Sequence, residues 1–434
     1  MAVFKMIAAL ELFAAVAVAQ NCARLEPAAQ LNVASGYTAS VILNDLNMPR
    51  GIVFDTAGNL LVAEQGGSGI RRVVLTEDED RNPCVASSSQ LIADRTLNHG
   101  IAISQDGKTL FVSNMADVHS YPYDVEAGTV GTKKTIISGM RSGGHITRTL
   151  LAPITAPDTL LVSRGSDGNI DNTTVDTAAS KSMIKAFNVT ELLALPDAVD
   201  YATGGEVLGW GLRNSVGVGE DPSTGGIWSV ENSADEIHRG DTDLHNNNPA
   251  EEMNYHGVLK DVDNPPKGIN YGYPACFSAW QITEIPSNAG ITIGSQFGGL
   301  AGTPYLEVTE AESMEEVDTF CRTQRQGPHL VFPSHTAPLD IKFKEDGSAA
   351  YIAFHGSWNR QPPDGFRLGK IDFESGQPVA EVSDTAAVTY IVQNQDVTQC
   401  PGACLRPVGL AFDKQGRLFM TSDASGELYV IGGV

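Results

Sequence analysis

The chain has 434 residues and carries 52 acidic against 29 basic side chains, a formal net charge of −23. A surface this acidic repels phosphate backbones and anionic lipid, so nucleic acid and a charged membrane face are excluded as partners. After the first twenty residues no stretch is long and apolar enough to span a bilayer.

The chain opens with a lysine at Lys5, an apolar run over 6–18 interrupted only by Glu11, and Ala17-Val18-Ala19. This is the layout of a secretory signal peptide. Residues 1–19 are expected to be removed, leaving 20–434 as one domain secreted to the extracellular space. The six cysteines suit an oxidising compartment, and their order suggests Cys22–Cys84, Cys276–Cys321 and Cys400–Cys404. Acceptor triplets for N-linked sugar begin at Asn172 and Asn188.

From residue 49 onward one unit recurs: a basic residue, a short apolar strand, a turn, and a second apolar strand ending in small or polar residues. It reads 50–54 with 60–65, 99–103 with 110–114, and 144–146 with 160–165. Further copies are 213–218 with 226–232, 335–341 with 350–355, and 406–410 with 417–423. The basic residues stand 49, 46, 68, 122 and 71 positions apart. The first two spacings fit a four-stranded blade and the others imply insertions. The pattern predicts an all-β, six-bladed propeller with loop insertions, because ring closure protects strand edges that an open sheet exposes. The last strand, near 427–431, is expected to close the ring with the segment around 39–43.

Equivalent positions of different blades lie around one axis. Arg50, His99, His145, Arg213, His335 and Arg406 are therefore expected to encircle one mouth of the central channel. Gln65, Asn114, Arg164, Asn232, His355 and Asp423, at the ends of the second strands, belong near the same face. Cations at one point of every blade, in so acidic a protein, point to a bound polyanion. A run of oxygen donors follows the fourth blade's second strand: Glu231, Asn232, Ser233, Asp235 and Glu236, then Asp241, Asp243 and 246–248. Hard oxygens suit calcium, although the run does not fit an EF-hand loop.

Four motifs stand in order: Gly144-His145, Gly211-Leu212-Arg213-Asn214, Asn270-Tyr271-Gly272-Tyr273-Pro274 and His355-Gly356-Ser357-Trp358-Asn359-Arg360. With them the whole mature chain resembles the glucose/sorbosone dehydrogenase family, and among its members the fungal secreted pyranose dehydrogenases that depend on pyrroloquinoline quinone (PQQ). The resemblance implies PQQ and Ca2+ as cofactors, a small sugar as substrate, and oxidation of its anomeric hydroxyl with hydride passing to the quinone. It implies that His145 is the base and that Arg213 and Asn214 contact the quinone oxygens. It places the calcium near Asn232 and Ser233, and it matches Arg367 and Arg406 to cofactor-carboxylate arginines, with Asp423 nearby. Arg50, His335 and Arg360 join this set from the ring and the last motif. That motif departs from bacterial soluble glucose dehydrogenases, which carry a lysine at this strand end. The chain length leaves no room for an appended cytochrome or cellulose-binding module, so electrons are expected to leave to a separate acceptor such as a haem protein or a copper oxygenase.

Two other functions fit a six-bladed propeller: a calcium-dependent lactonase or esterase, and a non-catalytic binding module. The first needs side-chain carboxylates around the axis, where this sequence puts bases. The second leaves the alignment of His145, Arg213 and Arg406 without a purpose. Trp280, Trp358 and Tyr273 are candidates for stacking on a pyranose ring.

Overall fold

Five of the six repeats turn between their first two strands on a short polar link with glycine at or near its end. At Asp55 the side chain accepts from the backbone N–H of Ala57 and Asn59, and Gly58 takes φ +85° to bring the chain back. Asp413 and Gly416 repeat the arrangement in the last blade, with Gly416 at φ +77°. Only glycine adopts this backbone region without steric cost, so the links fix where each hairpin reverses.

The computed structural model describes residues 22, 24–260, 267–298, 313–402 and 404–434. The segment read as a signal peptide lies outside them. The strands form six antiparallel blades. Blade 1 runs Pro49–Phe54, Leu60–Glu64, Gly69–Glu77 and Pro83–Ile92. Blade 4 is built from Ser215–Asp221, Gly226–Glu231, Glu251–Val258 and Leu330–Phe332. The ring closes as expected: Thr38–Leu43 pairs with Glu427–Gly432, with Val41 opposite Tyr429. In addition Leu31–Val33 adds an edge strand to blade 5 by pairing with Thr389–Asn394. Both ends of the chain are thus tied into the last two blades. The three expected disulfides are all present, and no described cysteine is free.

Neighbouring blades approach closely around the channel. A Cβ added at Gly51 would lie 2.5 Å from the His99 carbonyl oxygen, and one at Gly409 would lie 2.3 Å from that of Arg50. Hydroxyls on the second strands lock the same seams. Ser113 Oγ donates to the Arg148 carbonyl, Ser163 Oγ to Ser215, and Thr421 Oγ1 to Arg50. These contacts set the true register: the carbonyls of Arg50, His99, Arg148 and Ser215 meet the neighbouring blade in equivalent ways, and Val216, Leu339 and Val408 pack against one another. The expectation of six cations at one depth is therefore corrected. His145, Arg213, His335 and Arg406 stand two to four residues before these positions. The third repeat is also corrected, since its first strand is the two-residue Leu150–Leu151 and His145 belongs to the loop before it.

Insertions raise one side of the upper face. The link 232–250 and the long excursion between Val258 and Leu330 pack Ile237, Leu244, Tyr273, Phe277, Ile285 and Phe297 into a separate apolar cluster. It is pinned by Cys276–Cys321 and by the buried, two-pronged pair of Arg239 with Asp318, at 2.9 and 2.8 Å.

Val41 is fully buried in the closing seam, whereas Val33 on the blade 5 edge is 38% exposed. Val41→Asp is expected to cost about 3–5 kcal/mol by burying an unpaired carboxylate. Val33→Asp should stay within about 0.5 kcal/mol of wild type. Thermal unfolding of the two variants measures the difference, and equal melting temperatures would show that the seam does not limit stability.

Candidate active site

A cleft of 290 Å³ opens at the channel mouth, lined by Arg50, His145, Arg213, Asn214, His335 and Arg406 among others. Arg50 stands on the inner strand of blade 1, loops preceding the inner strands place the others, and the turns after the second strands complete the wall.

His145 Nδ1 stands 3.0 Å from both the carbonyl oxygen and the Oγ of Ser166. A carbonyl only accepts, so Nδ1 carries the proton. Ser166 Oγ gives its own proton to the Gly168 carbonyl and can accept as well. Nε2 therefore has its lone pair free, and it makes no hydrogen bond among the described residues. Burial, with the Arg213 charge beside it, lowers the imidazole pKa to about 4. The ring is neutral at neutral pH, in the tautomer of a base.

Arg213 is held from three directions. Nε donates to the Asn169 carbonyl, one Nη to that of Asn232, and the other to Asn169 Oδ1 and Asp235. Four of its five N–H groups are thus committed, leaving one for a ligand. Asp235 also receives His335 Nδ1 at 3.2 Å and Asn359 Nδ2 at 2.9 Å. His335 Nε2 faces the His245 carbonyl, so both ring nitrogens meet acceptors and both carry protons. Burial alone would depress this imidazole, but the Asp235 carboxylate and the carbonyl outweigh it, and its pKa is raised. Asp235 is held at about 2 by His335 and Arg213, against the opposing effect of burial.

A second carboxylate, Asp423, gathers the other side. It pairs with Arg50 at 2.7 Å and with His355 Nε2 at 2.9 Å. Arg406 donates to His355 Nδ1 and to the carbonyls of His355 and Gly356. His355 is neutral, its pKa lowered to about 4 by burial. Arg50 uses only Nη1 and Arg406 only Nε and one Nη, so both still present donors, as does the side-chain amide of Asn214.

Below the turn at Asn232 and Ser233 lies a floor of buried carboxylates. Glu231 accepts from the Arg213 backbone N–H; Glu251 accepts from those of Ser233 and Ala337. Burial raises Glu251 to about 7, and burial beside Glu252 raises Glu231. One oxygen of Glu231 has no partner.

The structure thus brings Arg50, His145, Arg213, Asn214, Asn232, Ser233, His335 and Arg406 into one cleft, with Asp423 directly behind. It does not bring Arg360 or Arg367 there. Both turn to Asp364, at 2.9 Å each, and Arg367 stacks on Tyr390 at 3.8 Å. His99 is buried at the deeper channel level, and Arg164 bonds the Ser180 carbonyl. Of the aromatic candidates, Trp358 lines the cleft and is 72% exposed. Tyr273 is a core residue whose hydroxyl joins Asp171 and Asn169. Sequence reasoning gave no role to Glu251 or Ser166, and it counted Asp235 only among oxygen donors for calcium, whereas Asp235 binds Arg213 and His335. The adjacent pair Glu251-Glu252 at the start of the strand Glu251–Val258 was the available signal.

Fold and cleft define a six-bladed propeller whose mouth sets a cluster of cations beside a neutral histidine. The sequence matches the TrAA12-like family over residues 31–434. It is 41% identical over 401 residues to a PQQ-dependent sugar dehydrogenase of Hypocrea jecorina, covering 92% of this chain and 88% of that one. The calcium structure of the Trichoderma reesei AA12 enzyme superposes with a TM-score of 0.88 at 40% identity, covering 94% and 99% of the two chains. The holo PQQ domain of pyranose dehydrogenase from Coprinopsis cinerea gives 0.84 at 34% identity, covering 94% and 98%. The chain therefore belongs to the TrAA12-like family.

The charge on His335 depends on Asp235, and NMR can follow it. The ring protons of His335 are expected to titrate above pH 6.5 in the wild type. In Asp235→Asn they should titrate below it, because burial then dominates. An unchanged midpoint would assign the charge to another partner.

Proposed function

We propose that the protein is a secreted, quinone-dependent pyranose dehydrogenase that oxidises the anomeric hydroxyl of a sugar and passes the electrons to a separate protein acceptor. The observation that carries this reading is the pairing of a neutral imidazole, its Nε2 free, with a cradle of cations that keep unused donors.

The cleft suits both cofactors. A tricarboxylate such as PQQ finds Arg50, His335 and Arg406 at the mouth, with the last free N–H of Arg213 and the Asn214 amide for its carbonyl oxygens. The turn at 232–233 suits calcium: the Ser233 carbonyl accepts no hydrogen bond among the described residues, and the carboxyls of Glu231 and Glu251 beneath, which burial pushes towards the neutral form, would ionise more readily beside a bound cation. Two-electron oxidation is the chemistry that PQQ supplies when bound, with calcium as its Lewis acid. The chain does the rest. His145 Nε2 takes the proton of the anomeric hydroxyl, and Ser166 fixes the ring so that this nitrogen faces the sugar. Arg213 and Asn214 stabilise the negative charge that develops at the far side. Trp358 offers a flat apolar wall for a pyranose ring. The propeller hydrolase is disfavoured, because the two carboxylates that line the cleft are already engaged, Asp235 by Arg213 and His335 and Glu251 by the backbone N–H groups of Ser233 and Ala337. Secretion accords with the leader-like start, the three disulfides, and the exposure of Asn172 and Asn188.

Protein freed of cofactor should be inactive towards aldoses with an artificial acceptor and should regain activity only with PQQ and calcium together. Full activity in a chelator with no quinone added would overturn the proposal.

His145→Ala should lower turnover by roughly 10²–10⁴ while quinone affinity stays near wild type, since the arginines remain. In the wild type, kcat/KM should fall only as pH drops towards 4, well below the ordinary imidazole value, because burial keeps the base neutral until then. A loss centred at 6.5 or above would mean that another group titrates.

A further inference from the structure

A second and larger cleft, of 770 Å³, lies over blade 2 on the same face. It borders the first through Ile146, the chain neighbour of His145. Asn98 Nδ2 donates to the Ile146 carbonyl at 2.9 Å and thereby forms the ridge between them. Elsewhere His145 is enclosed: Ser166, Arg213, Asn169 and Asp235 wall the blade 3 and blade 4 side. Any group attached to a sugar at His145 and pointing away from the cofactor cradle therefore has this cleft as its exit.

The floor of the cleft is polar and fixed in advance. Asn114 donates to His119 Nε2, whose Nδ1 then donates to Thr135 Oγ1. Asn98 is 94% buried by its 6% exposure, and its Oδ1 has no partner. Such an unfilled acceptor is costly unless a ligand donor meets it. The rim sets three cations, Lys133, Arg95 and Arg141, against two carboxylates, Asp94 and Asp117. Lys133 is paired with Asp94 at 3.0 Å, but Arg95 and Arg141 are exposed, and neither guanidinium has an ion-pair or hydrogen-bond partner among the described residues. In a chain of net charge −23, two unneutralised arginines at one cleft select for an anion.

We propose that this cleft is a subsite for a second sugar unit bearing a carboxylate, so that the enzyme favours acidic oligosaccharides, with a hexuronate attached to the reducing-end sugar presented to His145. This rests on the dehydrogenase reading above. Arg95 and Arg141 take the carboxylate, and Asn98 Oδ1 takes a sugar hydroxyl.

The test compares cellobiose with its analogue whose non-reducing unit is oxidised at C6 to the carboxylate, which differ only in that group. For the PQQ- and calcium-loaded protein, kcat/KM should be roughly tenfold higher for the acid, and the preference should shrink as salt rises from about 0.01 M to about 1 M. Arg95→Gln with Arg141→Gln should abolish the preference, and Arg95→Lys with Arg141→Lys should restore part of it. Calorimetry of the same two disaccharides on quinone-free protein should show the same order of affinity. Equal values for the two sugars in both assays, or a preference that survives the glutamine pair, would sink the proposal. If no sugar is oxidised, the dehydrogenase reading fails by itself, and calorimetry still decides the cleft.

Discussion

The site depends on two carboxylates, Asp235 and Asp423, that hold mutually repelling cations together at the mouth of a channel. Four cations, Arg50, Arg213, His335 and Arg406, converge with the neutral His145 and His355 on a few hundred cubic ångströms, and without internal anions the cluster would oppose folding. Each carboxylate takes one side: Asp235 binds Arg213 and His335, while Asp423 binds Arg50 and His355, which in turn receives Arg406. The neutralisation is partial by design of geometry, because each guanidinium keeps at least one N–H outside these contacts. A ligand with several carboxylates completes the set, and its binding then orders groups that are already nearly in place.

The same two anions sort the histidines. His335 lies between a carboxylate and a carbonyl and is held as a cation. His145, one blade pair away, meets only a carbonyl and a hydroxyl, with a guanidinium behind it, and is held neutral. Similar residues on similar loops thus end in opposite states, one charged and the other neutral. The difference comes from neighbours contributed by other blades.

That is also where the sequence stopped being readable. Hairpin strands are local: apolar alternation around Asp55 and Gly58, or around Asp413 and Gly416, is visible in a dozen residues, and so was the pairing of 39–43 with 427–431. Cation positions were visible too, because they precede those strands. Their depth was not, since it is set by backbone contacts between blades, such as Gly51 against the His99 carbonyl. Nor was the commitment of Arg360 and Arg367 to Asp364, which depends on how the loop after His355 folds back. In the third repeat a two-residue inner strand gave too little alternation to reveal that His145 stands in a loop.

That loop position matters for the chemistry. A side chain on a channel strand is fixed in direction by the pleat and by the seam with the next blade. His145, three residues before Arg148, is free of the ladder, so Ser166 alone sets its tilt. Arg148 explains why the loop nevertheless stays rigid. It is fully buried, and its guanidinium donates to the carbonyls of Met140, His145 and Thr147, tying both ends of the loop to one point. The insertions of blade 4 then rise on one side of His145 and leave blade 2 low on the other. His145 therefore stands on a rigid loop between the cation-lined cleft and the cleft over blade 2, and under the proposed function a substrate larger than one sugar ring would extend towards the latter.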